Sequence, residues 1–391
     1  MIEFHEALKI IQENVKSLEI EVISLENCMG RVLAEDVVSD MNIPPFDKAA
    51  MDGFACRKED LPGPFKIVDE IPAGKFPLRE IERGECARIM TGAPIPDGAD
   101  TVFMIEHHVL LEKGLVLFTA QKTSSNICYK GEDVKSGDVV LTTGTWINPQ
   151  EIAVLAGAGK TKVKVFEQPV VGVLSTGSEL VEPKTMPGDG KIRNSNGLQM
   201  VAQLAGMRIP SRYFGIVADD KTQLKQKIEK IISDIDVLFI SGGVSVGDYD
   251  FVPDVLTEMG FEILFTAMAT KPGKHNIFAR KGDKYVLGFP GNPVSSFIQF
   301  KLVGRALLLK MMGRVADETR FRVEMTDGYK RKNSNRLEFV PVIINGAGAA
   351  TLIPYNGSAH VHALSKANAL MEVPVGINSI EKGDLVYVRP L

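Results

Sequence analysis

Apolar residues at helical spacing open the chain. Phe4, Leu8, Ile11 and Val15 fall on one face, which predicts an amphipathic helix over 4–15. Short apolar runs surround Gly30 across 20–37. From Ile43 to about Gly137, Gly and Pro are dense, and strand-like runs recur at 65–68, 87–89, 101–105 and 115–118. That texture predicts an all-β insert with many turns. A helix (149–158) and a strand (162–165) follow.

From Pro169 the pattern changes to α/β. Continuous apolar runs at 170–174 and 236–240 read as strands buried on both faces. Strands are also expected at 261–267 and 285–289, and helices at 196–206, 222–233 and 250–259. Another helix begins after Pro293, with Val294, Phe297, Ile298 and Leu302 marking its apolar face. Alternating strands and helices imply a parallel sheet with right-handed crossovers. Beyond about Gly313 short strands and Gly turns return, predicting a small β-barrel or sandwich.

Composition adds bounds. The 391 residues suggest two to three domains on length alone. The net charge of −4 argues against a chain-wide grip on nucleic acid. The N-terminus lacks the pattern of a secretory signal, and no apolar run reaches membrane-spanning length. Four scattered cysteines, with no C-x-x-C, read as reduced and unpaired, which fits the cytoplasm.

Open parallel sheets bind ligands at the carboxyl ends of their strands. Three such ends are rich in small residues: Ser175-Thr176-Gly177, Ser241-Gly242-Gly243-Val244-Ser245, and Pro290-Gly291-Asn292-Pro293. Free backbone N–H groups there suit an anion. None of the three matches a P-loop or a dinucleotide fingerprint. Lys271-Pro272-Gly273-Lys274 sets two ammonium groups in one turn, suited to a phosphate or another tetrahedral oxyanion. Carboxylates recur at loop ends: Asp52, Glu179, Asp219, Asp220, Asp248 and Asp250. Such a mixture can hold a phosphorylated ligand through Mg²⁺. It can equally be turn formers and helix caps.

Together with Pro44-Pro45-Phe46, Met51-Asp52-Gly53-Phe54-Ala55, Met90-Thr91-Gly92-Ala93-Pro94 and Gly131-Glu132-Asp133, these motifs run in order along the chain. In that arrangement the sequence resembles the molybdopterin molybdenumtransferase family (MoeA), which includes the gephyrin E domain. The resemblance implies a multidomain α/β and β subunit in four parts. Residues 1–42 and 137–166 would form a discontinuous N-terminal domain, and 43–136 a β-rich insert. Residues 167–314 would be the central parallel-sheet molybdopterin-binding domain, and 315–391 a β-barrel-like C-terminal domain.

The implied reaction inserts molybdenum from molybdate into adenylylated molybdopterin, with Mg²⁺, releasing AMP, in molybdenum cofactor biosynthesis. The subunit would be a cytoplasmic homodimer with shared active sites. Transient contact with molybdopterin adenylyltransferase and with downstream cofactor-maturation proteins is also implied, and no contact with nucleic acid or membrane. Carried over motif by motif, Lys271, Lys274, Ser295, Arg336 and Ser358 would bind molybdate. Asp219 and Asp250 would hold the metal. Ser175, Thr176, Gly177, Gly242, Gly243, Ser245, Pro290 and Pro293 would form the pterin-binding loops. Asp52, Thr91, Asp133, Glu179 and Asp250 would be catalytic.

The chain departs from the family pattern at Ala49 (usually Ser), Cys128 (commonly Arg), Ser178 (frequently Asp) and His275 (frequently Pro). The missing Arg at 128 removes one cation from the implied cleft. Two other readings are a molybdopterin adenylyltransferase, which shares the α/β domain alone, and a non-catalytic gephyrin-like scaffold.

Overall fold

The computed structural model describes every residue except Val246, Asp317 and Glu318. At its centre is a six-stranded sheet in the order Ser211–Val217, Val171–Thr176, Val237–Ser241, Lys284–Phe289, His275–Lys281, Glu262–Ala267. The first four strands are parallel. Val171–Thr176 and Val237–Ser241 are buried at every position. Val173, Phe239 and Leu287 enter one core, and Leu174, Ile240 and Val286 the core on the opposite face. That two-sided burial is why these segments read as unbroken apolar runs.

Two features of this sheet differ from the expected pattern. His275–Lys281, a strand the pattern did not predict, runs antiparallel to both its neighbours, Glu262–Ala267 and Lys284–Phe289. That strand joins Lys284–Phe289 through a two-residue turn in which Gly282 has φ +59°, a connection that only an antiparallel hairpin accommodates. Ser211–Val217 lies at the sheet edge and is mostly half-buried. Gly215 breaks its apolar run, so its periodicity is weak.

Residues 20–38 and 139–166 pair with one another. Ile20–Ser24 pairs with Lys162–Phe166, and Val37–Val38 with Val139–Leu141. Cys28, Leu33, Leu155 and Val165 share one small core. The first helix, Phe4–Asn14, packs elsewhere. Phe4, Ala7 and Ile11 enter the core of the central sheet, and Ile2 N–H donates to the Ala267 carbonyl at 3.0 Å. Its apolar face, with three fully buried side chains, is satisfied by that larger core rather than by the 20–38 ribbon.

The insert is a six-stranded sheet ordered Thr101–Met104, Gly53–Cys56, Glu85–Ile89, Phe65–Ile71, Leu115–Phe118, His108–Leu110. Alanines and isoleucines fill one face, and Phe54, Phe65 and Phe103 fill the other. The C-terminal region pairs Leu337–Ile344, Ala369–Val373, Leu385–Pro390 and Phe321–Glu324 in order. A bridge from Met325 to Ala350, whose strand returns to Leu337–Ile344, closes the sheet on itself. One further strand, Thr270–Lys271, comes from the central domain and pairs in parallel with Leu337 and Glu338.

Candidate active site

A cleft of about 1220 Å³ lies between the carboxyl ends of the central strands and the C-terminal sheet. Thr176 and Gly177 enter it from the end of Val171–Thr176. Gly242, Gly243 and Ser245 enter from the end of Val237–Ser241. Pro290 and Pro293 enter from the turn before the helix Pro293–Gln299. Strand ends adopt this arrangement because a strand buried on both faces can present its backbone only where it stops.

Glycine is required where these loops cross. Gly242 has φ +91°, and a Cβ there would lie 2.4 Å from the Thr176 carbonyl oxygen. Gly243, at φ +64°, would meet Thr176 Oγ1 at 2.7 Å. Asn196, at the start of Asn196–Gly206, ties two loops together: its Nδ2 donates to Ser241 Oγ and to the Gly291 carbonyl, both at 2.7 Å. That leaves Asn196 Oδ1 pointing the other way. Asn196 Oδ1 and Thr176 Oγ1 are buried without hydrogen-bond partners, and both residues line the cleft. A buried polar atom left unpaired costs stability unless a ligand or water satisfies it.

The cations converge from two domains. Lys271, Lys274 and Arg336 all line the cleft. The turn that carries the two lysines is fastened from beneath. Gln299 Nε2 donates to the Pro272 carbonyl at 2.8 Å and Asn276 Nδ2 to the Gly273 carbonyl at 2.8 Å. The Arg336 guanidinium donates to the Thr270 carbonyl at 3.2 Å. Ser358, from the C-terminal domain, joins the central domain through Asn292 Nδ2 at 2.9 Å and through its carbonyl, which accepts from Val294 N–H at 3.0 Å. Ser295 lies buried in the first turn of the adjoining helix.

Asp219 and Asp250 line the same cleft. Asp219 Oδ2 accepts from Ser178 N–H at 2.7 Å, and Asp250 Oδ2 from Gly247 N–H at 2.9 Å. Each carboxylate is thus oriented through one oxygen. Among the described residues no three His, Cys, Asp or Glu side chains form a metal cluster. Burial and the Lys274 charge hold the His275 imidazole below its usual range, against the opposing pull of Asp250 and with Arg336 adding to the lowering.

Four expected residues lie outside this cleft. Ser175 is fully buried beneath the cleft, where Asn194 Nδ2 donates to its Oγ at 2.9 Å. Asp52, Thr91 and Asp133 lie in and beside the insert and do not line this chain's cleft. Asp52 and Thr91 are joined to each other, and Asp133 N–H donates to the Ile43 carbonyl. Glu179 does line the cleft, with its carboxylate folded over Gly177. Sequence reasoning missed Asn196, Tyr329 and Glu338 as cleft residues. Glu338 lies on the strand Leu337–Ile344 and carries no local sequence signal of a cleft role.

Three family models match in order: the MoeA N-terminal region (domains I and II) over residues 2–159, the probable molybdopterin binding domain over 172–310, and the MoeA C-terminal region (domain IV) over 322–391. The molybdopterin molybdenumtransferase of Staphylococcus epidermidis is 36% identical, covering 98% of this chain and 94% of that protein. The chain belongs to the molybdopterin molybdenumtransferase family. Its members are enzymes of molybdenum cofactor biosynthesis. The Staphylococcus aureus molybdopterin molybdenumtransferase is likewise 36% identical, with 98% and 94% covered. A crystal structure of the molybdopterin biosynthesis MoeA protein from Pyrococcus horikoshii OT3 superposes with a TM-score of 0.82 at 30% identity, covering 100% of both chains. The multidomain α/β and β architecture is therefore that of MoeA. No helix among the described residues is long and apolar enough to cross a membrane.

Proposed function

We propose that this cleft transfers molybdenum from molybdate to adenylylated molybdopterin, releasing AMP. The observation that carries the reading is convergence. Lys271, Lys274, Ser295, Arg336 and Ser358 come from two domains, yet all line one cleft with Asp219 and Asp250. Molybdate is a tetrahedral dianion. Fixed ammonium and guanidinium groups with hydroxyl donors match its charge and shape.

The oxygen-only donor set of Asp219 and Asp250 fits Mg²⁺. That ion commonly takes one or two protein carboxylates and completes its shell with water and substrate phosphate. Each aspartate has one oxygen fixed by a backbone N–H, which leaves the other for the cation. Bound there, Mg²⁺ would neutralise pyrophosphate charge and polarise the phosphoanhydride. The residues of the chain then divide the work. Gly177, Gly242 and Gly243 allow close backbone approach by the ligand. Asn196 Oδ1 can accept from an N–H of a bound heterocycle, and Thr176 Oγ1 can accept from such a group or donate to a phosphate. The lysines and Arg336 orient the oxyanion.

Asp52, Thr91 and Asp133 enter this reading through a second copy: a homodimer in which the insert of one chain faces the cleft of the other. The cytoplasm is the proposed compartment, supported by four free cysteines.

The purified chain incubated with adenylylated molybdopterin, molybdate and Mg²⁺ should release AMP only when molybdate is present. Lys271→Ala should abolish that release while the protein stays folded. ATP consumption on free molybdopterin instead would make the protein an adenylyltransferase. A gel-filtration mass of one chain would overturn the shared site.

A further inference from the structure

The acid in this cationic subsite has a role of its own. Glu338 is almost fully buried, yet it borders the cleft. One oxygen, Oε1, lies 2.8 Å from Lys271 Nζ, and Oε2 lies 3.1 Å from Arg331 Nη1. The Tyr329 hydroxyl also hydrogen-bonds to it. The two cations are not equivalent. Arg331 is itself buried and is anchored by three backbone carbonyls, those of Arg336 at 2.9 Å, Ile377 at 2.7 Å and Pro374 at 2.5 Å. Lys271 is 46% exposed and reaches into the cleft.

We propose that Glu338 is a positioning residue that fixes the Lys271 ammonium at the wall of the oxyanion subsite. The proposal rests on the molybdate reading given above. A lysine side chain has four rotatable carbon–carbon bonds and a strongly hydrated head, so an unfixed ammonium is a poor fixed charge. Here Lys271 and Glu338 are register partners on paired parallel strands. The backbone pairing therefore sets the distance between the two side chains. Arg331 and Tyr329 share the carboxylate, so its repulsion of an arriving dianion is offset without occupying Lys271 alone. An ammonium pre-aligned in this way loses little freedom on binding the anion.

A double-mutant cycle tests this on the full chain, with molybdate alone as the probe and equilibrium dialysis as the measurement. Glu338→Gln should weaken molybdate binding on the order of tenfold, as loss of a supporting partner commonly does. In a Lys271→Ala background the same change should have less than about a twofold effect, because the group through which Glu338 acts is gone. If Glu338→Gln does not fold, Glu338→Asp serves. It keeps the charge beside Arg331 but withdraws the carboxylate from Lys271 by one methylene, and should show the same background dependence. An equal loss in both backgrounds would make Glu338 merely structural and overturn the proposal. Unchanged or tighter binding in the otherwise unmutated chain would do the same. If the unmutated chain binds no molybdate, the molybdate reading itself fails and the proposal with it.

Discussion

Thr91 binds Asp52 twice through a single carboxylate oxygen: its backbone N–H donates at 2.7 Å and its hydroxyl at 2.6 Å. Asp52 precedes the strand Gly53–Cys56, and Thr91 follows Glu85–Ile89. Those strands are antiparallel partners with Gly53 opposite Ile89. The sheet register therefore delivers the two residues to the same edge.

Those two hydrogen bonds, the hydroxyl first and the amide second, hold the Asp52 carboxyl below its ordinary range. The ionised form is the one favoured by folding. Any associated stability is present above the unfolded pKa and is lost as pH falls through the lower folded value. Thr91→Val should move the Asp52 titration upward toward an unperturbed carboxylate, read by carbon-detected NMR of the side-chain carboxyl. No upward movement would mean that the hydroxyl contributes nothing.

Gly273 has φ +93°, and a Cβ there would fall 2.6 Å from Gln299 Cγ. Gly273→Ala should destabilise the protein by about 1–3 kcal/mol, measured by chemical denaturation. It should also weaken molybdate binding, because the Lys271 and Lys274 turn can relax only by shifting. Unchanged stability would show that Gln299 moves aside freely.

Chelation of divalent cations should stop AMP release, and added Mg²⁺ should restore it. Asp250→Asn should raise the Mg²⁺ concentration needed for half-maximal activity by about tenfold or more. An unaltered requirement would remove Asp250 from the metal site.

Cys28, Cys56 and Cys86 are buried, whereas Cys128 is partly exposed. Burial pushes the Cys86 thiol up to about 12, with Glu85 adding to it, and pushes Cys56 up as well. Thiolates are the reactive form. Ellman's reagent at pH 8 should therefore label one thiol per native chain, Cys128, and four after denaturation. Rapid labelling of more than one native thiol would contradict this burial.

The central strands were legible because burial on both faces writes a continuous apolar run. Val171–Thr176 and Val237–Ser241 are such runs. Ser211–Val217 escaped notice because an edge strand interrupted by Gly215 carries no such signature. The glycine loops and the two lysines could be read as an anion site from residue type and position alone. Glu338 could not, because its meaning depends on Lys271, 67 positions earlier in the chain, and only the pairing of their strands brings the two together. Asn196 looked like a helix start, which it is. Its grip on Ser241 and Gly291 exists only once three loops meet.

The strand Thr270–Lys271 belongs to the central domain by sequence and to the C-terminal sheet by pairing. That exchange makes one side of the cleft a fixed jaw. Hinge motion that separated the two domains there would first have to break backbone hydrogen bonds between 270–271 and 337–338. The loops around Glu179 and Tyr249, which also line the cleft, carry exposed side chains instead.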